Sequence, residues 1–244
     1  LFGGERITQM MNTLKVDEDT PIEAGMLTKT IEGAQKKIEG RNFGIRKNVL
    51  QYDDVMSRQR EIIYGQRDQV LNGEDLREQI VKMIEQAIGA QVDKYLPASN
   101  LRDDWDLNGL REHYMGWLIG PDDLQYDESE MEKLDPEYVK EEICKKAMAQ
   151  YEAREQAYGD KVMRELERVV LLKNVDREWR DHIDAMEELQ KGIRLRAYGQ
   201  RDPVVEYRLE GFDMFDEMIA TIPENTARMM LTVHVRTKEQ PKRE

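Results

Sequence analysis

Apolar residues recur at positions 27, 31, 34, 38, 45, 49, 52, 56, 63 and 70 of the chain. Each step is three, four or seven residues, the spacing that keeps one face of an α-helix apolar. The stripe implies a helix of roughly fifty residues, roughly 75 Å long at 1.5 Å per residue. That is too long for one globular core, so the helix is expected to be a strut against which several elements pack. Thr20, Pro21 and Glu23 supply an N-cap, a first-turn proline and a capping box for its start. Asn72 and Gly73 break the pattern at its end. Gly33, Gly40 and Gly44 lie inside the stripe, as sites of close packing or mild bending, or as a hinge.

Two further stripes follow. The first takes 162, 166, 169, 172, 175, 179, 183, 186, 189 and 193; the second takes 205, 209, 212, 215, 219, 222, 226, 230 and 233. Two stripes joined by a short turn predict an antiparallel helical hairpin, with Trp179 in its apolar seam. Pro223 is expected to kink or restart the second helix. Between strut and hairpin, "LREQIVKMIEQAIGAQVDKYL" and "DPEYVKEEICKKAMAQYEAREQAYG" read as helices, separated by an acidic, irregular stretch with Trp105 and Trp117. A short helix is expected over 5–14, and "RTKEQPKRE" should fray. The fold class is all-α: a long scaffold helix, a small helical subdomain inserted over 74–157, and a C-terminal antiparallel hairpin.

Composition supports this. Of 244 residues, 36% are charged and only 7% aromatic, a balance that suits long helices with solvated faces rather than a β-sandwich. Fourteen methionines against four phenylalanines point the same way, because Met packs adaptably between helices. The formal charge of −13 argues against general nucleic-acid binding. Cys144 is the single cysteine, which precludes an intramolecular disulfide and fits a reducing compartment. No stretch approaches the ~20 apolar residues of a membrane span. The opening "LFGGERITQMMNTL" reads as the tail of an upstream domain, so the chain is expected to be part of a longer protein.

Candidate chemistry is sparse. Neither G-x-x-x-x-G-K-[ST] nor G-x-G-x-x-G occurs, so the signal for nucleotide binding is absent. His182 with Asp181 and Asp184 could begin a metal site, but reads more simply as a structural histidine on a helix flank. Asp53 and Asp54 are adjacent and diverge by about 100° on a helix, which suits surface or interhelix hydrogen bonding better than paired-carboxylate chemistry. Cys144 beside Lys145 and Lys146 could be a reactive thiolate or a passive helix residue.

The turn "LRAYGQRDP" is different. Lys191, Arg194, Arg196 and Arg201 give it four cations and no acid between 191 and 201. Asp202 offers an N-cap and Pro203 a first helical residue for the next helix, and Gly199 permits reversal. A turn needs those three residues, but not Tyr198 and not the cations. It is either a solvated basic loop or a contact tip, and Tyr198 supplies the broad apolar face and polar end that contact with varied partners uses.

The block "TPIEAGMLTKTIEGAQKKIEGRNFGIRKNVLQYDDVMSRQREIIY" resembles the long scaffold helix of the SecA family of bacterial preprotein translocase motors. "LLKNVDREWRDHIDAMEELQKGIRLRAYGQRDPVVEYRLEGFDMF" is similar to that family's two-helix finger and tip, and 74–157 resembles its helical wing more loosely. The resemblance implies a tail of the upstream nucleotide-binding domain over 1–16, scaffold helix over 17–73, wing over 74–157, finger and scaffold continuation over 158–236, and a disordered tail over 237–244. It implies that Tyr198, with Arg194, Arg196 and Arg201, meets the SecYEG channel and the unfolded preprotein. The motor domains of the same parent chain are further partners, a homodimer is possible, and no nucleic acid is expected. ATP and Mg belong to the parent's upstream domains; this part is expected to hold no cofactor, no metal and no catalytic residue. Its place is cytoplasmic, peripherally bound to the inner face of the bacterial plasma membrane. The alternative is a free-standing cytoplasmic helical scaffold without a motor; an RNA-binding hairpin is disfavoured by the charge and the lack of interleaved aromatics.

The purified chain is expected to give a strongly helical circular dichroism spectrum and no ATP turnover above a no-enzyme control. Substantial strand signal or specific ATP hydrolysis contradicts the patterning and motif readings respectively.

Overall fold

The computed structural model describes residue 9 and residues 25–72, 76–97, 104–131, 134–196 and 202–235. Seven helices run in order among the described residues from Gly25 onward: α1 Gly25–Leu71, α2 Arg77–Tyr95, α3 Leu107–Tyr114, α4 Glu128–Met131, α5 Pro136–Tyr158, α6 Asp160–Arg196 and α7 Pro203–Thr232. The only pairing of extended backbone among the described residues is a single bridge between Met115 and Ile119, so the all-α reading stands. Thr20, Pro21, Glu23, Gly73 and the tail from 236 lie outside the described residues, as does the expected 5–14 helix apart from Gln9.

Helix boundaries follow side-chain chemistry. Asp135 accepts a hydrogen bond from the Glu137 N–H (3.1 Å) with Pro136 beginning α5, and Gly159 closes that helix at φ +79°. A left-handed backbone there suits glycine, which has no Cβ to clash. Asp202 repeats the device for α7, accepting from the Val204 N–H at 2.9 Å with Pro203 next. The stretch read as irregular contains α3, capped by Asp106 accepting from the Gly109 N–H at 2.8 Å.

Residues 1–56 and 57–244 form two separate units. In the first, Ile31, Ile38, Phe43, Ile45, Val49 and Leu50 are exposed, so the predicted stripe stays open there. Among the described residues of α1, burial begins at Tyr52. Close packing does not explain the glycines: a Cβ added to Gly33, Gly40 or Gly44 would meet nothing within 4 Å.

In the second unit α6 and α7 pack along each other, and α2 packs on α7 and α5. The wing segment thus builds directly on the hairpin. The seam holds Trp179, Met186, Leu189 and Ile193 of α6 with Val204, Tyr207, Phe215 and Ile222 of α7, all buried. Each such side chain contributes roughly 1.5–3 kcal/mol by leaving water.

The predicted stripes are partly out of phase. In α6, Val162 and Val169 are exposed while Met163, Glu167, Val170 and Asn174 are buried. The buried face carries polar residues that an apolar count skips, and each is kept there by a partner. Glu167 accepts from the Tyr151 hydroxyl and pairs with Arg164 Nη1 at 3.3 Å, and Asn174 donates to Thr226 Oγ1 at 3.2 Å. In α7, Val205, Leu209 and Phe212 are exposed, and Val204, Tyr207 and Gly211 turn inward instead, beside the predicted Phe215. Both series have helical spacing; the neighbouring α6 selects one. Pro223 neither stops nor restarts α7, which runs through to Thr232. Packing of Ile222, Thr226 and Ala227 on either side offsets the one lost backbone hydrogen bond.

Trp179→Ala and Phe215→Ala should each lower unfolding free energy by roughly 3–5 kcal/mol in urea titrations, whereas Phe212→Ala should change it by less than about 0.5 kcal/mol. Equal losses at Phe212 and Phe215 contradict the phase of α7.

Candidate functional site

The hairpin end is set by the register of its arms. Asn174 meets Thr226; Glu178 accepts from Asn225 Nδ2 at 3.0 Å and from Thr221 Oγ1 at 3.4 Å; the His182 and Phe215 rings stand 5.6 Å apart. Contacts step down α7 as they step up α6, so the arms are antiparallel and Arg196 and Pro203 come to the same end. Asp202 is the N-cap that the turn motif predicted, with the Val205 and Glu206 N–H groups bonded to its carbonyl at 3.1 and 3.2 Å.

Arg194 and Arg196 occupy the last turn of α6; Tyr198 and Arg201 lie outside the described residues. The helix ends give a local reason for part of the charge. The C-terminal end of α6 is the negative pole of its dipole, and cations there are favourable by roughly 0.3–1 kcal/mol each. Asp202 and Glu206 sit at the positive pole of α7. Dipole complementarity accounts for Arg194 and Arg196 without a partner. It does not account for an aromatic residue at position 198.

Behind the tip, Gln59 of α1 joins both arms. Its Nε2 donates to the Gly211 carbonyl at 2.9 Å, and its Oε1 lies 2.9 Å from His182 Nε2. A carbonyl can only accept, so the amide nitrogen faces Gly211 and the amide oxygen is left to accept from His182. His182 therefore carries a proton on Nε2. The Trp179 and Phe215 rings flank it, the former at 5.7 Å. Burial among them pushes the His182 pKa below its ordinary value.

The other candidates resolve toward structure. Asp181 and Asp184 are exposed while His182 is buried, so the three do not converge, and no group of three or more His, Cys, Asp or Glu side chains able to hold a metal occurs among the described residues. Asp53 and Asp54 both lie exposed on α1. Cys144 is half-buried, and burial pushes its thiol up to about 11, which keeps it protonated rather than nucleophilic. No described helix is long and apolar enough to cross a membrane.

The patterning missed one surface of interest. Val205, Leu209 and Phe212, exposed by 46%, 59% and 60%, form an apolar strip on α7 next to the turn. Its signal was present as an excess: 204, 207 and 211 lie beside 205, 209 and 212 at the start of the helix, and one neighbouring helix can cover only one of the two sets.

The profile of the SecA Wing and Scaffold domain matches residues 21–234. Protein translocase subunit SecA of Acetivibrio thermocellus is 46% identical over 244 residues, the whole of this chain and 27% of that protein. The corresponding subunit of Pelotomaculum thermopropionicum is 47% identical over 240 residues, 98% of this chain and 27% of that protein. SecA 1 of Clostridioides difficile is 47% identical over 242 residues, 99% of this chain and 26% of that protein. The chain thus spans about a quarter of the length of these relatives.

The lowered His182 pKa gives a pH dependence of defined sign. In the unfolded chain His182 titrates near 6.5, and in the fold lower. Between those values the unfolded state binds more protons, so this contribution is fully present above about pH 6.5 and is lost as pH falls through that window. His113, also held low chiefly by burial, adds with the same sign. His182→Gln keeps an amide donor for Gln59 and removes the titration. Between pH 7.5 and 5.5 its urea midpoint should fall less than that of the native chain; an equal fall shows that His182 titrates freely in the fold.

Proposed function

The chain belongs to the SecA family by its wing and scaffold domain, and from that premise we propose that it is the relay of an ATP-driven preprotein translocase. Movements of upstream motor domains pass along the scaffold helix α1 into the hairpin of α6 and α7. The hairpin end works at the SecYEG channel and on the unfolded preprotein. ATP and Mg act in the upstream domains, and this part carries no catalytic residue. It operates on the cytoplasmic side, bound peripherally to the bacterial plasma membrane.

The observation that carries this reading is the hairpin itself. The buried Asn174–Thr226 contact and the half-buried Glu178–Asn225 contact, with Gln59 bonded to both arms, resist sliding of one helix past the other. A pair locked in register can deliver a push at its end. Tyr198 is the residue that meets the polypeptide, because a ring gives contact area to any sequence. Arg194, Arg196 and Arg201 surround it with positive charge, and the strip of Val205, Leu209 and Phe212 extends the contact along α7.

In the intact motor, Tyr198→Ala should reduce preprotein transport into channel-containing vesicles while basal ATP hydrolysis continues, and Tyr198→Phe should retain most transport. In the chain itself Tyr198→Ala should leave the melting temperature nearly unchanged, since surface changes usually fall within about 0.5 kcal/mol. Normal transport by Tyr198→Ala reduces the tip to a simple turn.

A further inference from the structure

Four helices meet around a space that none of them fills. The last turns of α1 face α2, α6 and α7 across a cavity of about 290 Å³. The space opens to solvent between the helices, as a cleft with a buried floor. Its floor is apolar: Val70, Leu171, Val175 and Ile222 line it and are buried. Its rim is made of amides, with Gln66, Gln69 and Gln86 exposed and Gln79 half-buried. None of these four side chains is hydrogen-bonded to another described residue.

The charge of the lining is balanced. Arg67 is its charged residue, and its Nε lies 3.1 Å from Asp176 Oδ1. Pro223, which has no N–H to donate within the helix, lines the cavity with Ile219. Water alone would fill the space with roughly ten molecules at about 30 Å³ each, and those against the floor would lack bonding partners. An apolar body that displaces them gains the hydrophobic term, while free amides at the mouth receive a polar edge. A charged group would lose hydration, and Arg67, the charged residue of the lining, is already paired with Asp176.

We propose that this cavity is a binding site for a small uncharged molecule with a flat apolar body and one amide-like hydrogen-bonding edge. The volume lies at the lower end of ligand pockets, roughly 300 Å³ and upward, so the occupant is a compact molecule rather than a peptide segment. The site touches the wing through α2, the hairpin through α6 and α7, and the end of the scaffold helix. An occupant clamps these three together, which makes the cavity a point of control over how the hairpin is held. The proposal does not depend on what the tip contacts.

The test uses 2-naphthamide as probe and 2-naphthoate as its charged counterpart, with the chain labelled at its methionine methyl groups. Met83 lines the cavity and reports occupancy, its resonance being assigned through Met83→Leu. 2-Naphthamide should shift the Met83 methyl saturably, and 2-naphthoate should bind at least about tenfold more weakly. Ile219→Trp, which fills the cavity, should abolish the shift while the helical circular dichroism is retained. Gln86→Trp, on the exposed rim, blocks the mouth and provides a second variant that leaves the floor intact. The proposal is overturned by an unmoved Met83 resonance at the probe's solubility limit, by equal binding of the two probes, or by a shift that persists in a folded blocked variant.

Discussion

A buried amide must find a partner for both its oxygen and its nitrogen, and Gln59 finds them on different helices. Only 6% exposed, it bonds the His182 ring of α6 and the Gly211 carbonyl of α7. Sliding either arm by one turn strands a polar group, at roughly 1–3 kcal/mol for each. The hydrophobic seam between the arms is larger in energy but less particular, because apolar side chains tolerate many offsets. Asn174 with Thr226 and Glu178 with Asn225 repeat the restriction farther along. Register in this hairpin is thus a property of a few buried polar side chains, and the position of its end follows from them.

The helices were legible because spacing of three and four residues survives any packing arrangement. A cap was legible too: Asp202 with Pro203 is a local device that needs no neighbour. Phase was not. The face of α6 that is buried contains Glu167, Asn174 and His182, which hydropathy assigns to water and which only their partners in α1, α5 and α7 make tolerable. In α7 two apolar series compete, and the choice between Val204 and Val205 is made by α6 rather than by α7's own sequence. The short α3 was hidden for another reason: Asp106 and Gly109 resemble loop chemistry until Leu110 and Tyr114 are seen to be buried. Of the candidate site, its place between two arms was readable, whereas the apolar strip beside it was not.

The two ends of α7 live in different surroundings. Its C-terminal half is held by the wing, where Gln91 Nε2 donates to Glu224 at 2.8 Å and Gln150 Nε2 donates to the Leu231 carbonyl at 2.7 Å. The Arg228 guanidinium lies over the Trp117 ring at 5.7 Å. The N-terminal half has α6 on one side and an exposed apolar strip on another. One helix is thereby anchored at the wing and presented at the turn, an arrangement suited to a lever with a fixed root.

Gly159 alone separates α5 from α6, and its left-handed backbone makes a joint of a single residue. Because each residue of a helix turns it by about 100°, inserting or deleting one residue here would rotate α6 by more than a quarter-turn relative to α5. Glu167 would leave Tyr151, and Asn174 would leave Thr226. Most connections between helices absorb changes of length; this one converts length into angle. The count of residues between wing and hairpin is thus under the same constraint as the identity of any side chain in the core.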